Sequence, residues 1–210
     1  MKLKNYIAGQ WIEGSGNEIP LYNAVNGELV AVSDTEGIDF ESALHYGRTV
    51  GYKNLSSMTF YDRGEMLKKV ALYLLERKKK YYELSYKTGA THADSWVDIE
   101  GGFGTFFTYS GLAKRMLPNT PFWVDGDTQK ISANGTFLGT HILTPSEGVS
   151  VQINAYNFPV WGMMEKLSTS LLAGVPSIVK PATPGSYLTN AVFQDMIESG
   201  LLPEGAIQLV

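Results

Sequence analysis

Residues 148–180 read GVSVQINAYNFPVWGMMEKLSTSLLAGVPSIVK, and this stretch decides the fold. GVSVQIN is short, apolar and rich in β-branched residues, as a strand requires. Apolar positions at helical spacing predict a helix over Val160 to Ala173, with Pro159 in its first turn and Gly174 at its end. PSIVKP reads as a second strand. Ser186 to Ser199 reads as a second helix, ended by Gly200. Pro203-Glu-Gly205 turns the chain into AIQLV, the start of a third strand. Strand, helix, strand, helix, strand is an α/β pattern, a partial parallel, doubly wound sheet. With no crossover after it, the third strand is expected to leave the sheet poorly covered on one side. That pattern predicts a chain that is part of something larger.

Working back from Gly148, two β-rich segments, WVDGDTQKIS and TFLGTHILTP, flank Asn134-Gly135. Asn-Gly favours a type I′ turn, so a long exposed hairpin is expected over 122–147. Residues 1–121 carry helices and small strands. Short β pieces broken by Gly and Asn lie in 3–12 and 19–32. A helix is expected over 39–51, with Phe40, Ala43, Leu44 and Gly47 on one face. Asp62 is placed as the cap of the next helix, with Glu65 at the capping-box position. That helix, marked by Met66, Leu67, Val70, Leu74 and Leu75, is expected to run towards Leu84. Another is expected from Asp94 to Met116, with Trp96, Phe103, Phe106, Phe107 and Tyr109 in the core.

The 210 residues carry a net charge of −4, with 44% hydrophobic and 18% charged residues. An acidic balance argues against general nucleic-acid binding. Arg77-Lys-Lys-Lys80 is the one basic cluster and reads as the solvated end of a helix. No apolar run is long enough to span a bilayer, and MKLKNYIAGQWIEG is no signal peptide, so a cytoplasmic location is expected. There is no cysteine, which excludes disulfides, thiolate metal sites and a cysteine nucleophile within these residues. His45, His92 and His141 form no metal-binding pair in the sequence, and no metal site is expected.

In open parallel sheets, ligands bind beyond the carboxyl ends of the strands. Asn157 stands at one such end, before Phe158-Pro159. Its amide is suited either to donating to a developing oxyanion or to capping the helix. Lys180 ends the second strand and offers three donors to ribose hydroxyls or a phosphate, or is an ordinary exposed lysine. Lys166, in the middle of the first helix, faces either the site or solvent. Gly14-Ser-Gly16 and Gly101-Gly102-Phe103-Gly104 imitate dinucleotide fingerprints, but neither joins a strand to a helix with the third glycine in place.

NFPVWGMMEKLSTSLLAGVPSIVKPATPGS resembles the stretch of aldehyde dehydrogenases from the oxyanion asparagine to the cofactor lysine. ESGLLPEGAIQLV, GQWIEG and the order of helices and hairpin are also similar to that family, so the resemblance covers nearly the whole chain. It implies the N-terminal part of an aldehyde dehydrogenase-like, Rossmann-like fold that binds NADP or NAD. It implies that Asn157 holds the oxyanion and that Lys166 belongs to the active-site hydrogen-bond network. Ile153, Asn154, Ala155 and Tyr156 would pass along the nicotinamide riboside, and Lys180 would bind the adenosine ribose. The 122–147 hairpin would be an arm joining copies in a homo-oligomer. Two departures stand out. Ala155-Tyr156 replaces the family's Pro-Trp, and Thr183 replaces a glutamate that binds the adenosine ribose hydroxyls in many NAD enzymes. A hydroxyl in place of a carboxylate removes repulsion against a 2′-phosphate, which favours NADP. Within the family, the text looks like the dehydrogenase part of bifunctional phenylacetate-degradation proteins. That implies oxidation of a CoA-thioester semialdehyde to the acid by a cysteine outside these residues. A polypeptide of these 210 residues is expected to be inactive alone; the other reading is a non-catalytic assembly or nucleotide-binding module.

Overall fold

In the computed structural model, which describes residues 1–210, the N-terminal β pieces form two small hairpins. The first joins β1 (Asn5–Ile7) to β2 (Gln10–Ile12) through Ala8-Gly9, both in the left-handed region. The second pairs β3 (Ile19–Tyr22) with β4 (Leu29–Ser33). Asp39 caps α1 (Phe40–Tyr46), which continues through a π-helical turn at Gly47–Gly51 into α2 (Tyr52–Ser56). Ala43 and Gly47 face inward as expected, whereas Phe40, in the first turn, is exposed.

Thr59, not Asp62, caps α3 (Phe60–Leu75); Asp62 is the third helical residue and answers by accepting from the Thr59 N–H. Glu65 instead pairs with Lys114 at 2.7 Å. The helix expected to reach Leu84 breaks at Glu76-Arg77 and restarts as α4 (Lys78–Ser85). The basic cluster is solvated, with Lys78, Lys79 and Lys80 exposed, but it begins α4 instead of ending a helix. Arg77 stacks on the Tyr73 ring at 3.5 Å, Lys78 pairs with Glu100, and Lys80 pairs with buried Asp195. Thr91 caps α5 (His92–Trp96), with Asp94 in the reciprocal position. A second π-helical turn, Val97–Gly101, leads into α6 (Gly102–Met116). Phe103 and Phe106 are core residues, but Trp96 is exposed.

The arm consists of β5 (Trp123–Lys130) and β6 (Leu138–Leu143), paired antiparallel. Its tip is not the expected type I′ turn, which needs positive φ at both central residues. Only Gly135 has it, and the Gly135 N–H donates to the Ser132 carbonyl.

The remainder alternates β7 (Ser150–Ile153), α7 (Pro159–Leu172), β8 (Ser177–Lys180), α8 (Ser186–Glu198) and β9 (Ile207–Leu209). β7, β8 and β9 pair in parallel, as the opening stretch predicts. The third strand is not an open edge, however. β1 pairs antiparallel with β9 through Tyr6 and Leu209, giving the order β2-β1-β9-β8-β7. Ile207, Gln208 and Leu209 are all buried. Gln208 fixes this join: its side-chain oxygen accepts from the Ala8 N–H at 3.0 Å and its amide donates to the Ala43 carbonyl at 2.7 Å. The N-terminus thus covers the flank that was expected to lie bare, because a strand from the far end of the chain supplies the missing ladder. Helices α3, α6, α7 and α8 pack into one core around Leu67, Leu74, Phe103, Met163, Met164 and Phe193. Each such side chain contributes roughly 1.5–3 kcal/mol when buried.

Candidate active site

Two crevices open at the carboxyl ends of the parallel strands. The one beyond β7 is lined by Ala155, Asn157, Phe158, Trp161, Glu165 and Lys166, together with Val97 from the second π-helical turn. Asn157 is exposed, and its side chain makes no hydrogen bond within the chain. Lys166 lies further along α7, half-buried, and donates to the Gly162 carbonyl at 3.1 Å. Lys166 faces the crevice, and Asn157 does not cap α7.

The helix is capped from elsewhere. Its own N-cap residue, Phe158, has no acceptor side chain, and Pro159 has no N–H. The next two donors, Val160 N–H and Trp161 N–H, both point at Oδ1 of Asp98, at 3.1 and 2.8 Å. Asp98 sits on the Val97–Gly101 turn and is 4% exposed. No cation pairs with it. Neighbouring Glu100 is held by Lys78 and Tyr82, and Asp94 by Thr91. Burial therefore pushes the Asp98 carboxyl up from its ordinary 3.8 to about 6, and the two backbone N–H bonds only partly offset this. The approach depends on Gly101 and Gly102. A Cβ on Gly101 would lie 2.5 Å from the Trp161 ring, and one on Gly102 3.0 Å from the Trp161 Cα. The glycines set aside as a false dinucleotide motif thus serve helix packing. No motif in the sequence marks Asp98; the one hint is a helix start that lacks an acceptor of its own.

The second crevice lies beyond β8. Lys180 and Thr183 line it with Ser186, Asn190, Lys4 and Asp34. Lys180 is exposed and forms no ion pair. The Asp34 carboxylate is already occupied by the N–H groups of Gly16 and Glu36. The four residues of the connecting loop diverge. Ile153 and Tyr156 point outward, Ala155 lines the first crevice, and Asn154 turns inward. The Asn154 backbone N–H donates to the Lys180 carbonyl at 3.0 Å, tying the two strand ends together. Its buried side chain has no partner on either polar atom.

Two crevices at adjacent parallel strand ends, one lined by an amide and the other by a lysine with no partner in the chain, place this fold in the open α/β class, whose ligands bind at strand ends. The chain belongs to the aldehyde dehydrogenase family, whose pattern matches residues 11–210. It is 38% identical over 211 residues to 3,4-dehydroadipyl-CoA semialdehyde dehydrogenase of Aromatoleum evansii, covering all of this chain and 41% of that protein. It is 29% identical over 209 residues to betaine aldehyde dehydrogenase of Bacillus subtilis, covering 98% of this chain and 40% of that one. Among solved structures, 3,6-anhydro-L-galactose dehydrogenase in complex with NAP superposes with a TM-score of 0.86 at 25% identity, over 100% of this chain and 42% of the other. The NAD⁺ complex of a Bacillus cereus aldehyde dehydrogenase shares the fold, with a TM-score of 0.79 at 20% identity over 41% of its length. The chain therefore spans about two-fifths of the length of the relatives it matches. No helix is long and apolar enough to cross a membrane.

Proposed function

We propose that this chain supplies the oxyanion donor and the cofactor crevice of an NADP-preferring, cytoplasmic aldehyde dehydrogenase acting on a CoA-thioester semialdehyde from aromatic-compound (phenylacetate-type) degradation. One observation carries the reading: Asn157 is spared from capping α7 and lines the same crevice as Lys166. The substrate class rests on the likeness to the semialdehyde enzyme.

An attacked aldehyde carbon passes negative charge to its oxygen. The Asn157 amide, with no partner within the chain, would donate to that oxygen without first breaking an intramolecular bond. Such a donor accelerates the step by ~10²–10³-fold. Lys166, anchored on the Gly162 carbonyl, adds positive charge on the same wall. The thiolate this chemistry needs is not among these residues, which contain no cysteine. NADP, when bound, accepts the hydride. Lys180 and Thr183 would hold its adenosine ribose and 2′-phosphate, and Ile153 to Tyr156 would border the nicotinamide riboside. The 122–147 arm, with Trp123, Val124, Leu138 and Ile142 exposed, fits a homo-oligomer contact.

Titration of the native-length protein with NADP and NAD tests this reading. Lys180→Ala is expected to weaken NADP binding by ~10-fold or more. Unchanged binding would remove the cofactor role from this crevice and favour a non-catalytic assembly module.

A further inference from the structure

Asn157 stands three residues before Val160, the spacing at which an N-cap side chain reaches a backbone N–H. Asparagine is also among the best residues for that task. Left to local preference, the Asn157 side chain would turn back onto the helix and be unavailable to a ligand. In the folded chain the Val160 N–H is taken instead by Asp98, 62 residues earlier, which also takes the Trp161 N–H. Asp98 is brought there by the two glycines that let its helix close on Trp161. Its carboxylate is buried without a cation, a costly placement that packing alone does not call for.

We propose that Asp98 caps α7 in place of Asn157 and thereby keeps the Asn157 carboxamide in the crevice, which makes Asp98 a positioning residue for the oxyanion donor. The inference rests on the reading of Asn157 given above. It adds a competition: two side chains for one helix N-terminus, with the distant one winning. The charge of Asp98 also suits the positive end of the α7 dipole. The charged groups on the packed helices are engaged elsewhere: Lys78 and Tyr82 on Glu100, Asp94 on Thr91, and Lys166 on Gly162. Asp98 is therefore answered by backbone alone.

The test is a double-mutant cycle in the native-length protein, read by steady-state kinetics and by amide hydrogen exchange in peptides covering α7. Asn157→Ala alone is expected to lower kcat by ~10²–10³-fold and to leave exchange at Val160 unchanged. Asp98→Ala is expected to lower kcat by ~10–100-fold with KM nearly constant, because Asn157 now turns to the helix. In that background Asn157→Ala should cost only ~10-fold more in kcat, bringing the double variant level with Asn157→Ala alone, and should now speed exchange at Val160. Asp98→Asn keeps an acceptor oxygen and is expected to restore kcat to within ~3-fold of the native protein. Full additivity of the two alanine substitutions would overturn the proposal, as would native kcat in Asp98→Ala. If Asp98→Ala does not fold, Asp98→Asn decides: native exchange at Val160 with lost turnover means the cap is intact but does not set Asn157, which contradicts the positioning role. Should Asn157→Ala alone leave turnover intact, the oxyanion reading fails, and exchange in the double variant still decides who caps α7.

Discussion

Replacing Asp98 by asparagine should make the protein relatively more stable as pH rises. The carboxyl titrates near 3.8 when the chain is unfolded and near 6 when it is folded, because burial disfavours its charge. A folded value above the unfolded one means that the folded state holds the proton more tightly. Stability from this group is then greatest below pH ~4 and declines through the interval up to ~6. The rise from 3.8 to about 6 corresponds to about 3 kcal/mol, or a factor of ~100 in the opening equilibrium. Asparagine has no such titration, yet offers one oxygen to the same two N–H groups. The assay is hydrogen exchange across α7 in both proteins, corrected for the intrinsic effect of pH on exchange. Protection in Asp98→Asn relative to the native protein should climb by up to ~100-fold between pH ~4 and ~7. Any constant offset from the buried amide does not alter that slope. A ratio flat with pH, or falling, would refute the placement of a lone buried carboxylate at the head of α7.

Other outcomes follow from the same geometry. Thr183→Glu should move cofactor preference from NADP towards NAD by ~10-fold or more, read from the ratio of the two dissociation constants, since a carboxylate repels a 2′-phosphate. Gly102→Ala should destabilise the protein by ~1–3 kcal/mol in chemical denaturation, because its Cβ would meet Trp161 backbone atoms at 3.0 and 3.1 Å. A polypeptide of residues 1–210 alone should show no aldehyde-dependent NADP reduction, there being no thiol to attack the substrate.

The parallel unit was legible because its signals are local. Val151 to Ile153, Ile178 to Lys180 and Ile207 to Leu209 are separated by helices whose apolar spacing and terminal glycines can be read in isolation. Asn157 and Lys180 were legible as candidates because strand ends are where such sheets bind ligands. What escaped was set by distant partners. The pairing of Tyr6 with Leu209 converts an expected open edge into a covered strand, and no window of sequence contains both residues. The choice between the two fates of Asn157 depends on Asp98, whose helix reaches α7 only through close packing at Gly101 and Gly102. The helix break at Glu76-Arg77 was hidden because Leu74, Leu75 and Leu84 keep an apolar stripe across it. There Arg77 leaves helical geometry and settles on the Tyr73 ring. The Asn134-Gly135 tip misled for the opposite reason, since a longer loop satisfies the turn with Gly135 alone in the left-handed region.

The central claim is that Asn157 faces a reacting carbonyl in an NADP-linked dehydrogenase. The most direct measurement is NADPH formation by the native-length protein from a CoA-thioester semialdehyde, compared with its Asn157→Ala variant. The account predicts turnover in the first and a ~10²–10³-fold lower kcat in the second, with NADP affinity unchanged. Equal kcat in both proteins, or no aldehyde-dependent NADPH from the native one, would contradict it.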